Sequence, residues 1–337
     1  MTRLRNLALG GLTALAIGGV ASTAFAVEPV DFQNRLNGAT VGLPLGAAPP
    51  PGLYTGLETA YLGWDGQAYG NQGAAHINAI AQAVPLLWVP GWNFLGGSYS
   101  AAAVLAFYEA QALGNNIYNG GPGASAAGFY VFANPTFTPI DLSWNLGNGW
   151  FVSAGFSFMA PIGSMGARSA TNPDYWTFEP DWAISYLANN WVLSANFFYD
   201  FNTASGANMG LCALTGKPGI CAAQNGFVNG DEFYVDLTAL YKVGKWEFGP
   251  VAYLEDQTTT DSPGGGITCV ASPIPCGMWR NFAVGGLVGY DFGPVDLQVW
   301  VTDSIWHQDA IDGFDVWTRL GFRLWGPSAP PALVTKD

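Results

Sequence analysis

The chain has 337 residues, of which half are hydrophobic and 15% aromatic but only 10% charged, a composition far from that of an average soluble domain. Its 24 acidic residues outnumber the 11 basic ones. Because binding to a phosphate backbone needs clustered Lys and Arg, this balance argues against a nucleic acid partner. It is compatible with a surface or a lumen that favours cations or neutral solutes.

The first 26 residues have the organisation of a cleavable export signal. Arg3 and Arg5 precede an apolar stretch over residues 7–20, and Ala24-Phe25-Ala26 supplies the small residues that signal peptidase recognises. An uncleaved membrane anchor is the alternative, but this stretch is shorter than the ~20 apolar residues that a spanning helix needs. We therefore predict that residues 1–26 are a signal peptide and are removed on export.

Residues 27–52 form a leader that is rich in Pro and Gly and precedes the first predicted strand. We expect this leader to lie in the periplasm, like the tail formed by residues 327–337. The tail is rich in Pro. The residues leave open whether the leader, or one of the loops, enters or gates the interior of the protein.

Between residues 53 and 326 lie about twelve aromatic-rich segments, and the connections between them alternate between short and long. The short connections are Gly91-Trp92-Asn93, Gly147-Asn148-Gly149, Ala188-Asn189-Asn190, Val243-Gly244-Lys245 and Gly293-Pro294. The long ones are residues 65–75, 113–127, 164–173, 204–229, 260–275 and 307–313. Gly, Asn and Pro mark hairpin turns, and outer-membrane barrels have short turns on the periplasmic side and long loops outside.

This pattern predicts an all-β fold, a transmembrane antiparallel up-and-down β-barrel in the bacterial outer membrane, in contact with lipid. A soluble β-sandwich is the alternative, but it does not need aromatic residues at the ends of so many segments.

Alternation within the strands predicts which side chains face lipid. In the segment from Trp191 to Asn202, Phe197 and Tyr199 share one face, whereas Asn196 and Asp200 share the other. A charged residue on the lipid side would cost a few kcal/mol, so the polar face is assigned to the lumen. The same reasoning places Glu255 and Gln298 inside, and it predicts a lumen lined by Tyr54, Glu58, Glu179, Asp181, Glu232, Tyr234, Asp236, Glu247, Asp296, Trp300, Asp315, Trp317, Arg319 and Arg323. For each charge, an internal salt bridge that braces the barrel is the alternative to a place on a transport path.

The four cysteines form two local pairs, Cys212 with Cys221 and Cys269 with Cys276, each in a predicted outer loop. Two loop disulfides are the expected state in an oxidising compartment. A zinc site is the alternative, but neither pair has the C-x-x-C spacing, and His76 and His307, the two histidines of the chain, lie in other segments. No metal ion and no cofactor are expected.

Six short motifs occur in an order and spacing that match a known family. They are Pro50-Pro51-Gly52-Leu53-Tyr54, Leu95-Gly96-Gly97-Ser98-Tyr99, Pro161-Ile162-Gly163, Tyr175-Trp176-Thr177-Phe178-Glu179-Pro180, Gly230-Asp231-Glu232-Phe233-Tyr234-Val235-Asp236 and Gly249-Pro250. From about Pro49 to Trp325, the chain resembles the family of proteins involved in the meta-pathway of phenol degradation. This resemblance implies an outer-membrane channel that takes up small hydrophobic or aromatic compounds.

A channel of this kind is the leading hypothesis, because a barrel of about twelve strands encloses a lumen that side chains partly fill. The inward-facing rings of Tyr54, Tyr234, Trp300 and Trp317 would offer stacking surfaces to an aromatic solute, or would only fill the interior. A structural or surface-binding role through the loops is the alternative. An outer-membrane hydrolase is less favoured, because only His307 lies near a rim and no His-x-Ser-Asn run occurs, so we expect no enzyme activity and no catalytic residues. The sequence does not indicate an oligomeric state.

Overall fold

The structure, a computed structural model, describes residues 34–67, 74–115, 124–163, 175–204, 228–260, 262, 278–308, 310 and 312–327. Its strands are β1 (Gly52–Gln67), β2 (Ala74–Val89), β3 (Asn93–Phe94), β4 (Gly97–Asn115), β5 (Ala124–Phe132), β6 (Thr136–Gly147), β7 (Trp150–Met159), β8 (Thr177–Ala188), β9 (Trp191–Asn202), β10 (Glu232–Val243), β11 (Trp246–Gln257), β12 (Arg280–Asp291), β13 (Val295–Gln308) and β14 (Asp312–Trp325). Over these residues, no helix has the length and apolarity that a membrane crossing requires.

The strands form one antiparallel sheet that closes on itself, because β1 pairs with β2 on one side and with β14 on the other. β5 and β6 act as one interrupted wall strand, since β4 pairs with β5 along one half of its length and with β6 along the other. The described residues therefore form a barrel with twelve wall strands, to which β3 adds a short extra pairing with β4. This confirms the predicted fold class.

The connections separate the two ends of the barrel, here called the turn end and the loop end. At the turn end, the predicted short connections have the backbone of tight hairpins: Asn189 and Asn190 both have positive φ, at 53° and 66°. Two successive residues of positive φ match the twist of the flanking strands, and Asn tolerates this conformation better than most residues. At the loop end, several strands are longer than expected, since β1 runs to Gln67 and β4 to Asn115.

The two faces of the wall differ in chemistry, as β9 illustrates. Val192, Ser194, Asn196, Phe198 and Asp200 are buried on the inner face, and their neighbours along the strand are more exposed on the outer face. Large apolar side chains cover the outside of the other strands as well, including Leu57, Ile80, Trp182, Leu237, Val301 and Leu320. The barrel therefore has an apolar exterior suited to lipid and a largely polar interior.

The leader was predicted to lie in the periplasm, but its described part lies inside the barrel. Wall side chains from β6, β8, β9, β10, β11, β13 and β14 hydrogen-bond to leader residues between Asn34 and Ala48. Val41, near the middle of this segment, is fully buried in a cluster that includes Leu62, Leu240 and Leu287. The leader thus supplies part of the hydrophobic core of the lumen.

Candidate functional site

The lumen is the candidate site, and the leader runs through most of its height. Ala48 contacts Ser143 near the turn end, Gly46 contacts Ser185, and Asn34 contacts Thr177 near the loop end. Ser185 and Thr177 are eight positions apart on β8, which corresponds to roughly 27 Å of strand at about 3.4 Å per residue. The leader therefore occupies the lumen over a depth comparable to that of the apolar band of such barrels, ~25 Å.

The leader has no regular secondary structure, so the wall must satisfy its backbone polar groups. Asn196 donates to the carbonyl oxygens of Thr40 and Leu43 at 3.2 and 3.0 Å. The amide of Gly42 donates to Thr238 Oγ1 at 2.8 Å, and its carbonyl oxygen accepts from Gln298 Nε2 at 3.2 Å. Short polar side chains on the inner face thus replace the partners that a strand or helix would provide.

Glycine permits the closest approaches between the leader and the wall. A Cβ atom on Gly42 would lie 2.7 Å from Leu287 Cδ1, and one on Gly46 would lie 2.8 Å from the backbone nitrogen of Ser185. Gly42 also has a φ of 83°, which side chains on L-residues rarely adopt. The leader is therefore shaped to fit this lumen at these two points.

Arg319 on β14 binds the leader from the opposite side of the lumen. Its Nη1 donates to the carbonyl oxygen of Val41 at 2.7 Å, and its Nη2 donates to that of Ala39. The same guanidinium forms a 2.5 Å ion pair with Glu58 and contacts Gln298 at 2.8 Å. One buried cation therefore joins the wall and the leader.

Carboxylates concentrate on one side of the inner wall, on strands β8 to β11. We call this region the acidic wall; it contains Glu179, Asp181, Asp200, Glu232, Asp236 and Glu255. Thr40 donates to Asp236 through both its amide and its hydroxyl, and Asn37 donates to Glu255. The leader thus directs hydrogen-bond donors at this wall, which is the arrangement that stabilises buried carboxylates.

Arg35 brings a positive charge to the acidic wall near the loop end. Its Nη1 lies 2.8 Å from Glu179 Oε2, and its Cζ lies 3.3 Å from the centroid of the Phe198 ring. Burial tends to lower the pKa of Arg35, but the negative charges of Glu179, Asp236 and Asp200 outweigh it, and the pKa is raised. The guanidinium therefore remains charged inside the lumen.

The structure places most of the predicted lumen residues on the buried inner face. These are Glu58, Glu179, Glu232, Tyr234, Asp236, Glu255, Gln298, Trp300, Asp315, Trp317 and Arg319. Asp181, Glu247 and Tyr54 are half-buried, and Asp296 and Arg323 are exposed at the turn end. Several of these groups brace the wall: Asp315, for example, accepts from Trp64 Nε1 at 2.7 Å and from the Tyr253 hydroxyl at 2.9 Å.

The four inward rings are all engaged in the observed state. Trp300 and Trp317 stack on each other with centroids 5.2 Å apart, and the Arg319 guanidinium lies 4.7 Å from the Trp300 ring. The hydroxyl of Tyr234 donates to Glu232 at 2.6 Å, and that of Tyr54 donates to the carbonyl oxygen of Pro50 at 2.6 Å. Both indole nitrogens of the Trp pair are buried and meet no acceptor among the described residues.

Other sequence predictions concern positions away from the leader. His307 is exposed at the loop end of β13, whereas Cys212, Cys221, Cys269 and Cys276 lie outside the described residues. Within the described part of the chain, no cluster of His, Cys, Asp and Glu side chains is arranged to hold a metal ion.

Sequence reasoning missed every contribution of the leader to the site. The one available signal was chemical, because Asn34, Arg35, Asn37 and Thr40 bring polar groups into a segment otherwise rich in Gly, Ala, Leu and Pro. Their partners could not be inferred, since each lies on a strand far away in the sequence.

The sequence of this barrel matches the model of a known family. The model of the family of the MetA-pathway of phenol degradation matches residues 63–320. The chain belongs to this family. The match to the phenol-degradation family begins within β1 and ends within β14, so it spans the barrel wall and does not include the leader.

A solved structure shares the fold of this phenol-degradation family member at low sequence identity. An outer membrane channel from Pseudomonas putida is 13% identical and has a TM-score of 0.62; the match covers 82% of this chain and 96% of that one. The translocator domain of the autotransporter NalP from Neisseria meningitidis is 11% identical with a TM-score of 0.46, and the match covers 82% and 89% of the two chains. No curated protein matches this sequence.

Proposed function

We propose that the protein is an outer-membrane channel for the uptake of small hydrophobic or aromatic compounds, with its turn end in the periplasm and its loop end outside the cell. The observation that carries this proposal is a closed barrel whose polar lumen is filled by the leader, which is held to the wall by hydrogen bonds. Membership of the phenol-degradation family supports the same solute class, and the likeness to the Pseudomonas putida channel supports the architecture.

The leader is the gate in this proposal, because a solute must pass where the leader now lies. Its contacts with the wall are separate hydrogen bonds, of which the neutral ones contribute about 0.5–1.5 kcal/mol each and those to charged side chains about 1.5–3 kcal/mol. Such contacts break and reform far more easily than the barrel ladder does, since they can be lost one at a time. A local displacement of the leader therefore opens a path without unfolding the wall.

The stacked pair of Trp300 and Trp317 is the proposed contact for aromatic solutes. The two flat indoles are buried in the lumen, and their N–H groups have no acceptor in the observed state. A solute that carries a ring and an oxygen atom, such as a phenol, would stack on the indoles and accept from an indole nitrogen. An acidic lumen would favour the neutral form of such a solute over its anion.

Solute flux into liposomes tests the channel. The purified full-length protein is expected to raise the influx of phenyl glucoside, a neutral aromatic solute, above that of empty liposomes. Benzenesulfonate, an anionic aromatic solute, should pass several-fold more slowly because of the carboxylates in the lumen. No increase for any small solute would refute the proposal.

Tethering the leader tests its role as the gate. Thr40→Cys combined with Asp236→Cys places two thiols where the two native side chains contact each other. Oxidation of this pair is expected to lower the influx of phenyl glucoside at least tenfold, and reduction should restore it. Each single cysteine variant is the matched control, and an oxidised pair that conducts like the controls would contradict the gating role.

A further inference from the structure

The side chain of Arg35 lies in a site made of aromatic rings and carboxylates, which we call the aromatic box. It is formed by Glu179 on β8, Phe198 and Asp200 on β9, and Tyr234 on β10. The Arg35 guanidinium lies against the Phe198 ring at 3.3 Å and is 5.8 Å from the Tyr234 centroid. A planar cation held between a ring face and a carboxylate is the arrangement by which proteins recognise guanidinium and amidinium groups.

The hydrogen-bonding capacity of the aromatic box is not used up by Arg35. Asp200 is 0% exposed and its carboxyl group lies beside that of Glu179, but no Arg, amide or hydroxyl donor of the described residues reaches either of its oxygens. Arg35 itself has unused capacity, because its Nη2 is buried and donates to no acceptor within the described residues. Two neighbouring carboxyl groups thus face a single guanidinium, and a cation that engages Asp200 as well as Glu179 would allow both to be ionised.

The charge around the box points to the same class of ligand. Asp200 interacts electrostatically with Glu179, Glu232 and Arg35, and Asp236 on β10 also interacts with Arg35. The other buried cation described, Arg319, acts on Asp236 from β14. Over these described groups, the carboxyl groups outnumber the guanidinium groups, so a cation bound here has more carboxyl partners within reach than Arg35 engages.

We propose that the aromatic box is a binding site for planar organic cations, namely amidinium, guanidinium and related groups on a small aromatic or alkyl body, and that Arg35 is its built-in occupant. A solute of this class competes with Arg35 for Glu179 and for the face of Phe198. Its binding releases the first described residues of the leader from the acidic wall. The inference concerns binding and does not require that neutral aromatic solutes pass through the barrel.

Binding of benzamidine to the full-length protein in detergent tests this proposal. Arg35→Ala vacates the box and is expected to bind benzamidine at least tenfold more tightly than the wild type, in which Arg35 competes. Benzamide and benzoate have nearly the same shape but are neutral and anionic, and each should bind the Arg35→Ala variant at least tenfold more weakly. Adding Phe198→Ala or Asp200→Asn to Arg35→Ala should remove most of the gain.

Arg280→Ala is the matched control for the loss of one arginine. Arg280 forms a 2.6 Å ion pair with Asp256, outside the aromatic box, so this variant should bind benzamidine as the wild type does. A folded Arg35→Ala variant that binds no benzamidine, or that binds all three compounds equally, would overturn the proposal.

A second measurement on the wild type covers the case in which Arg35→Ala does not fold. Benzamidine at millimolar concentration should accelerate hydrogen exchange at the amides of Thr40 and Gly42, which are held by Asp236 and Thr238. Benzamide at the same concentration should leave both rates unchanged. Equal rates with and without benzamidine would also overturn the proposal, and they would leave the flux result as an independent test of the channel.

Discussion

Arg319 joins two side chains of the wall to two carbonyl groups of the leader. Its side chain is 7% exposed and holds Glu58, Gln298 and the carbonyl oxygens of Ala39 and Val41. A buried ion pair adds little stability compared with a well-packed apolar pair, but removal of one partner leaves the other charge uncompensated. Loss of Arg319 is therefore expected to destabilise the protein mainly because Glu58 would remain as a buried carboxylate without its ion-pair partner.

Replacement of Arg319 by Ala is expected to lower the free energy of unfolding by about 3–5 kcal/mol, the usual cost of an uncompensated buried charge. Urea titration of the protein in lipid vesicles measures this change. Adding Glu58→Gln to Arg319→Ala should recover part of the loss, because it removes the orphaned charge. Arg323→Ala is the control, since Arg323 is exposed at the turn end, and it should change stability by only about 0.5 kcal/mol. Equal losses in the two arginine variants would contradict this account.

The leader is the element whose fit decides whether the lumen is filled. Gly42 and Gly46 bring its backbone against the wall, and wall side chains satisfy its amides and carbonyl groups in turn. Since these partners come from several strands, the full set of contacts with the leader exists only in the closed barrel. The leader should therefore be the first element to be displaced when one of these contacts is removed.

Gly42→Ala is expected to displace the leader without unfolding the barrel, because the new Cβ would lie 2.7 Å from Leu287 Cδ1. We predict faster hydrogen exchange over residues 39–43 and a basal influx of phenyl glucoside several-fold above that of the wild type. Gly244→Ala is the matched control: Gly244 also has positive φ, at 62°, but no atom lies within 4 Å of the position of its Cβ. If Gly244→Ala raises the exchange rates and the influx as much as Gly42→Ala does, the increase comes from backbone strain and not from a poorer fit of the leader.

At the scale of the whole molecule, the barrel separates an apolar exterior from a polar interior. Leu237 and Val243 both face outward on β10, the first near the middle of the strand and the second beside the turn end. Strand closure satisfies the backbone, so the cost of a substitution on this face depends mainly on its depth in the bilayer. This dependence offers a test of how the barrel sits in the membrane.

Leu237→Arg should lower the free energy of unfolding in lipid vesicles by about 2–4 kcal/mol, the cost of a charged side chain near the midplane. Val243→Arg should cost only ~0–1 kcal/mol, because its position lies near the interface. Urea titration of both variants measures the difference. A penalty at Val243 as large as that at Leu237 would contradict the proposed placement of the apolar band.

The barrel could be predicted from the sequence because its signals are local. Alternation in segments such as Trp191–Asn202 reports which face meets lipid, and residues such as Asn189 and Asn190 mark the turns by their backbone preference. The inward orientation of Glu179 and Asp236 follows from the same period of two. The contact partners of these side chains could not be predicted in this way, because alternation along a strand shows which face a side chain is on and not which residue it meets across the lumen.

What the amino-acid sequence determined by itself is the wall: a strand's period of two and the high cost of charge in lipid act on neighbouring residues, so they can be read in any short window. Only the tertiary structure decided what fills the wall. Arg35 meets Glu179 across 144 positions, and Arg319 meets Ala39 across 280. These contacts exist because closure of the sheet brings distant strands around one axis, where an irregular segment finds the donors and acceptors that its own sequence lacks.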